Sequence, residues 1–170
     1  MSVKRKAIDQ GFAPLLGDKP KLLILGTLPS VKSLDTLQYY GHPRNAFWWL
    51  MAQLCNFSAD SPYPERVAQL LNKRIAVWDV IRSCHRPGSL DSKIDQSTLQ
   101  ANDFSSLLAE NTSLRALVFN GQAASKLFSK HVNIENWVGD MIVLPSSSPA
   151  NAGMTREDKL AKWSCLKAYL

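Results

Sequence analysis

Hydrophobic residues in this chain fall into short dense runs separated by polar stretches, and the runs are of two kinds. Residues 22–25 (LLIL), 75–80 (IAVWDV), 114–119 (LRALVF) and 141–144 (MIVL) are brief and almost continuously apolar. That is the pattern of strands, and Leu22 to Leu25 read as a buried one. Residues 46–55 (AFWWLMAQLC), 62–71 (PYPERVAQLL), 104–110 (FSSLLAE), 122–128 (QAASKLF) and the segment after Thr155 instead repeat apolar positions every three or four residues. These predict helices with one face in a core. Phe47, Leu50, Met51 and Leu54 share such a face in the first helix; Leu160, Trp163, Leu166 or Lys167, and Leu170 share one in the last. Asn72, Lys73 and Arg74 close the second helix with cations suited to its negative end. Asn102 and Asp103 suit a helix start, and Thr155 with Asp158 forms a capping box.

Strands and helices alternating along the whole chain predict an α/β fold, a mostly parallel sheet sandwiched between helices. No composition shift divides the 170 residues, so we expect one domain over 1–170, with 1–20 as a lead-in arm carrying Lys4, Arg5 and Lys6. In a parallel sheet the segments that follow the strands share one edge, where open α/β sheets bind ligands. Those segments are residues 29–45, 79–91, Asn120-Gly121 and 146–151, with residues 81–95 read as a second loop. The first is expected to be a long loop of roughly twenty residues without structure of its own, a length that marks function or disorder. Its aromatics argue against disorder. The predicted crevice has hydroxyls, amides, a few Arg and aromatics, but few carboxylates.

Charge narrows the partners. The net charge is +6 and the pI near 9.3, which suits a polyanion. No apolar run approaches a membrane span, and no hydrophobic segment follows the amino-terminal charges, so a soluble, cytoplasmic protein is expected. Cys55, Cys84 and Cys165 are odd in number and lack metal-ligand spacing, which predicts no disulfide, zinc or iron-sulfur site. Cys55 and Cys165 sit in helical apolar patterns as buried space-fillers; Cys84, beside His85 in a predicted loop, is either nucleophilic or inert. GTLPS lacks a P-loop ending, and neither GxGxxG nor GxSxG is present. Tyr39 and Tyr40 with Trp48 or Trp49 suit stacking on a flat ring, and a Ser run before Pro suits phosphate. A basic chain that does both is a nucleic-acid reader or a base-processing enzyme.

GTLPS (26–30), YYGHPRNAFW (39–48) and LPSSSPANA (144–152) resemble the uracil-DNA glycosylase superfamily, most closely its hypoxanthine-DNA glycosylase branch, from about Lys21 to the end. The resemblance implies a three-layer α/β/α sandwich with a central four-stranded sheet. It implies a DNA repair enzyme that flips a deaminated base, hypoxanthine first, from the duplex and hydrolyses its N-glycosidic bond. Leu28 stands where other members carry a catalytic Asn, and the branch moves that role to Asn45. No cofactor is implied, and three cysteines fall short of the four that iron-sulfur members need.

Site roles follow as expectations, each beside a plainer one. Asn45 holds the attacking water or caps the helix at Ala46. Tyr40 and Phe47 face the extruded base, unless Tyr40 merely packs on Trp48. Main-chain NH groups of Thr27 and Leu28, or the Asn120 amide, donate to the leaving base, unless Asn120 only tolerates the turn. Pro29, Ser30, Arg44, Ser146, Ser147, Ser148, Pro149, Ala150 and Asn151 touch DNA, and Arg82, Arg86 and Arg156 add attraction; a functionless Ser-rich turn and solvated Arg residues are the alternatives. Asp79 anchors its loop to Arg82 or takes part in catalysis. No amine nucleophile lies in the motifs, which predicts a monofunctional, monomeric enzyme. Competing readings are a uracil or mismatch glycosylase, a non-catalytic nucleic-acid-binding module and a free-nucleoside hydrolase.

Overall fold

Strand β2 (Leu22–Gly26) lies at the centre of the molecule, buried along its whole length. The computed structural model describes residues 9–170; the basic cluster Lys4, Arg5 and Lys6 lies outside them. Before β2 comes a two-residue strand β1 (Asp9–Gln10), and after it β3 (Ile75–Asp79), β4 (Ile81–His85), β5 (Asp95–Ala101), β6 (Ala116–Asn120) and β7 (Asp140–Leu144). The helices are α1 (Val31–Thr36), α2 (Phe47–Cys55), α3 (Tyr63–Asn72), α4 (Phe104–Glu110), α5 (Gln122–His131) and α6 (Arg156–Trp163). Turns of 3-10 helix cover Asp91–Lys93 and Ser164–Tyr169.

Four strands form one parallel sheet in the order β3-β2-β6-β7, which bears out the fold expected from the alternation. Side-chain parity builds the layers. Leu22, Ile24, Ile75, Val77, Ala116 and Val118 face α2, α3 and the carboxyl-terminal helix, where Trp163 and Leu166 are buried. Leu23, Leu25, Ala76, Trp78, Leu117 and Phe119 face α4 and α5 through Phe104, Leu107, Leu127 and Phe128. With period-two alternation, a one-residue slip of any central strand would exchange its two faces. Truncating Leu25 or Ile24 to Ala should cost about 2–5 kcal/mol.

Three expectations need correction. The long loop after β2 is not without structure: Ser30 Oγ accepts the Ser33 amide at 3.1 Å and starts α1 inside it. Residues 81–95 are not simply a loop, because β4 and β5 pair antiparallel and β1 joins β4 to make a second, three-stranded sheet. Their side chains are mostly polar and none in β5 is buried, so the continuous apolar run that announces a buried strand is missing. Finally, residues 9–20 are not a loose arm. Leu15 bridges Val77 at the sheet edge through hydrogen bonds of 2.8 and 3.0 Å, and Ala13 accepts the Tyr39 hydroxyl at 2.8 Å.

The helix ends follow expectation in part. Thr155 accepts the Asp158 amide, and Asp103 caps α4; Asn102 instead donates to the Asp79 carbonyl at 2.7 Å. Leu170, expected inward, is 40% exposed.

Candidate active site

Because β2, β3 and β6 run parallel, Gly26, Asp79 and Asn120 reach the same edge of the sheet, and the loop after β7 folds over them. Between them opens a cavity of about 610 Å³. Among its walls are Thr27, Tyr40, Asn45, Asp79, Asp91 and Asn120.

The first wall is built of amides. His42 to Arg44 make a tight turn in which the Asn45 amide donates to the His42 carbonyl at 2.9 Å and the Arg44 amide to His42 Nδ1 at 3.1 Å. Asn45 Oδ1 then accepts the Phe47 amide at 2.9 Å, so the carboxamide does tie the start of α2. One lone pair of that oxygen and the Nδ2 group remain, and the side chain lines the cavity, so the capping contact and an exposed carboxamide coexist. The Ala46 amide donates to the Ser147 carbonyl at 3.0 Å, fastening the same turn to the opposite loop.

Asn120 and Ser147 bond twice: Asn120 Nδ2 donates to Ser147 Oγ, and the Ser147 amide to Asn120 Oδ1, both at 2.8 Å. Asn120 thus has a stronger structural role than tolerating a turn; the left-handed φ of +99° belongs to Gly121, where a Cβ would meet Ser146 at 3.0 Å. Ser147 is 1% exposed. It still lines the cavity, but its hydroxyl accepts from Asn120 inside the protein. Ser146 and Ser148 stay half-buried and accept the Ser148 and Ala150 amides at 3.1 Å. Asn151 Nδ2 donates to the Ser146 carbonyl at 3.2 Å, and the buried Lys159 ammonium to that of Ser148 at 3.3 Å. A loop tied this often to itself is ordered before any ligand arrives.

Aromatic residues divide between cavity and core. Phe47 is 0% exposed and stacks behind Tyr40 with ring centroids 4.0 Å apart. Its expected direct contact with a base is corrected: it backs Tyr40 and does not line the cavity. Tyr40 lines the cavity and packs on Phe47, not on Trp48. Its backbone sits at φ +53°, a left-handed conformation that costs an aromatic residue roughly 1–3 kcal/mol. Tyr39 and Trp48 are core residues, the Trp48 indole donating to the Tyr39 carbonyl at 2.8 Å. Burial, and next the neighbouring Asp79, push the Tyr40 hydroxyl well above the usual phenol range; the Asn120 amide opposes the rise.

The other wall is acidic, against the expectation of few carboxylates. Asp79 ends β3, is 4% exposed, and its Oδ2 has no hydrogen-bond partner. Desolvation first, and Asp91 second, push its carboxyl up to about 7, with Arg86 opposing. Asp91 is exposed as a residue, yet its carboxyl tip sits against the cavity wall, where Thr27 donates to it at 2.6 Å; burial raises it as well. A Cβ on Gly26 would lie 2.6 Å from Asp79 Oδ1 and 2.9 Å from the Tyr40 hydroxyl, so only glycine leaves room for both tips. Asp79 is not tied to Arg82, which is exposed. Nor is Arg86 a surface cation: it is 5% exposed and donates to the carbonyls of Leu28 and Pro29 and to Asp9. Asp91 went unread in the sequence because it lies in a polar segment; an acid at the last position of a buried run was the available signal for Asp79.

The remaining expected residues fall in several places. Leu28 and Pro29 are buried but border the cavity, with Ser30 beside them. Pro149, Ala150 and Asn151 form its rim. Arg44 lies outside it, exposed in a shallow recess with Lys32 and His42. Arg156 stacks over Trp49 at 4.4 Å. Cys84 is 0% exposed and burial raises its thiol, which argues against a nucleophile; Cys165, expected buried, is exposed. Among the described residues no helix is long and apolar enough to cross a membrane, and no cluster of three or more His, Cys, Asp or Glu is placed to hold a metal ion.

Known proteins share this arrangement. The family model for the uracil DNA glycosylase superfamily matches residues 13–169. A protein of Methanosarcina acetivorans named hypoxanthine DNA glycosylase is 35% identical over 161 residues, covering 94% of this chain and 98% of the relative. One of the same name from Methanosarcina barkeri is 36% identical over 118 residues, 69% of this chain and 73% of its own. The solution NMR structure of a Methanosarcina acetivorans protein described as a candidate uracil DNA glycosylase superposes with a TM-score of 0.78 at 34% identity, covering 95% of this chain and 97% of that one. A cavity at the carboxyl edge of a β3-β2-β6-β7 parallel sheet, matched nearly end to end by this family, places the chain in the uracil DNA glycosylase superfamily as a DNA glycosylase.

Proposed function

We propose that this protein excises hypoxanthine from DNA, hydrolysing the N-glycosidic bond of an extruded deoxyinosine and leaving an abasic site with the strand intact. The observation that carries this reading is the Asn45 carboxamide on the wall of a cavity that Thr27 and the doubly bonded Asn120–Ser147 pair also line. Two relatives that bear the name hypoxanthine DNA glycosylase support the choice of base.

The target carbon is unreachable inside a duplex, so the nucleotide must leave the stack first, at a cost of a few kcal/mol that is smallest for a mispaired base. Inosine opposite thymine is such a base. The cavity of about 610 Å³ has room for a purine and part of its sugar. Tyr40, braced by Phe47, offers the extruded ring an aromatic surface. Asn45 uses its free lone pair to hold a water near C1′, a role that needs orientation and no titration. Main-chain NH groups of Thr27 and Leu28 favour the charge that develops on the base. Ser30, Ser146, Ser148, Pro149, Ala150 and Asn151 contact the flanking backbone, while Arg44 and Arg156 supply salt-sensitive attraction from the exterior. Action as a monomer on chromosomal DNA in the cytoplasm completes this reading.

Incubating labelled duplexes that contain inosine or uracil with wild type and Asn45→Ala tests the proposal. Abasic sites should appear with inosine, depend on Asn45, and break only after alkali. Uracil released faster than hypoxanthine would favour the second reading, which the description of the structural relative supports. Lesion binding without base release would leave a binding module, equal activity on free inosine a nucleoside hydrolase, and a borohydride-trapped adduct would rule out simple hydrolysis.

A further inference from the structure

The carboxyl of Asp79 has no structural task that explains its burial. Its main chain is pinned on both sides: the Val80 amide donates to the Gly26 carbonyl at 2.8 Å, and Asn102 Nδ2 to the Asp79 carbonyl at 2.7 Å. Held this way, the side chain lines the same cavity as Asn45 and Tyr40, with Oδ2 buried and unpartnered. Arg86, the cation opposing its protonation, is already engaged with Asp9 and the carbonyls of Leu28 and Pro29. An ionised carboxylate buried without a partner is costly, and such a group keeps its proton instead. A neutral carboxylic acid on the wall of a cavity is a proton donor awaiting an acceptor.

We propose that Asp79, carrying a proton, is the general acid that protonates the departing purine. The proposal rests on the reading that this chain releases hypoxanthine. As the C1′–N9 bond breaks, its electron pair goes to the purine. Asp79 transfers its proton to a ring nitrogen, and the base leaves neutral. The water held by Asn45 forms the new C1′–O bond, its released proton passes to solvent, and the Asp79 carboxylate is reprotonated from solvent. The division of labour is physical: an amide can orient water but cannot supply a proton, and an acid cleared of counter-charges can. Among the described residues, the titratable and charged groups that face Asp79 are Asp91 from the turn after β4, Arg86 beyond β4, and the Tyr39 and Tyr40 hydroxyls. Both tyrosines are pushed towards neutrality by burial, so Asp91 and Arg86 set the charge that Asp79 experiences.

Single-turnover release of hypoxanthine from an inosine duplex, measured from pH 5.5 to 9, tests this. Wild type should lose activity as pH rises through about 7, where Asp79 gives up its proton. Asp79→Asn should react about 100-fold more slowly at pH 6 and lose that descending limb, while still binding a duplex with non-cleavable 2′-fluoro-deoxyinosine. Asp91→Asn removes a like charge from beside Asp79 and should move the limb to lower pH, a shift that a purely structural role would not produce. This second variant decides the matter if Asp79→Asn fails to fold. A flat wild-type profile between pH 6 and 8, an Asp79→Asn enzyme that keeps rate and limb, or an unmoved limb in Asp91→Asn would overturn the proposal. Base release with a flat profile would sink this inference alone; no release of hypoxanthine at any pH would sink the reading beneath it too.

Discussion

The two ends of the parallel sheet each carry a hollow of similar size, and they differ in what lines it. At the carboxyl edge, about 610 Å³ is walled by amides, carboxyls and hydroxyls. At the amino edge, about 680 Å³ opens among Arg115, Trp137, Val138 and Asp140, with Val138 99% exposed. The larger hollow lacks the smaller one's convergence of buried, polar groups on one point. Topology explains why. All four strands deliver their last residues to the carboxyl edge, so Gly26, Asp79 and Asn120 meet there although about fifty and forty positions separate them. Volume shows where a ligand fits, and the chemistry of the wall shows whether one is expected.

Several changes would break or sharpen that contrast. Asn45→Ala should lower single-turnover base release by two to three orders of magnitude. It should also remove the bond to the Phe47 amide and about 1 kcal/mol of stability, measurable as a shift of a few degrees in Tm. Wild-type rates in that variant would remove the cavity's claim. Gly26→Ala pushes a methyl to 2.6 Å from Asp79 Oδ1 and should cost about 1–3 kcal/mol in denaturant titration, with base release falling further than stability explains. Asn120→Ala leaves the buried Ser147 amide unpaired and should cost about 1–3 kcal/mol, together with weaker binding of lesion duplexes as the loop loosens.

Titration of Asp79 gives a stability effect whose sign is fixed. Its folded-state carboxyl is raised from the ordinary 3.8 to about 7, so its contribution is complete below the ordinary value and is lost as pH rises from there through about 7. Melting curves should show Asp79→Asn gaining on wild type from about pH 4 to 7 and no further gain above that. Smaller still, Arg44→Ala should reduce the salt slope of DNA binding by about one. At the opposite end, Val138→Asp should leave base release within about twofold; a large loss there would show that the amino-edge hollow matters after all.

The motif wall was legible and the acidic wall was not, and particular residues show why. Asn45 and Ser146 to Ser148 sit in short segments whose residue types are unusual in themselves. Asp91 acquires meaning only from Thr27, and Arg86 from Asp9, partners 64 and 77 positions away. Ser147 and Ser148 look alike in the chain, but one is bonded inside to Asn120 and the other accepts from the rim.

By itself the amino-acid sequence determined the parallel strands, the helices that cover them, the edge at which their following loops meet, and the amide before AFWW. These follow from periodicity and local chemistry, which neighbours in the chain settle among themselves. Only the tertiary structure decided that Phe47 stands behind Tyr40, that Ser147 and Arg86 are interior, and that Asp79 is buried without a partner. Burial and electrostatic environment depend on which distant residues are brought together, and no local pattern carries that information.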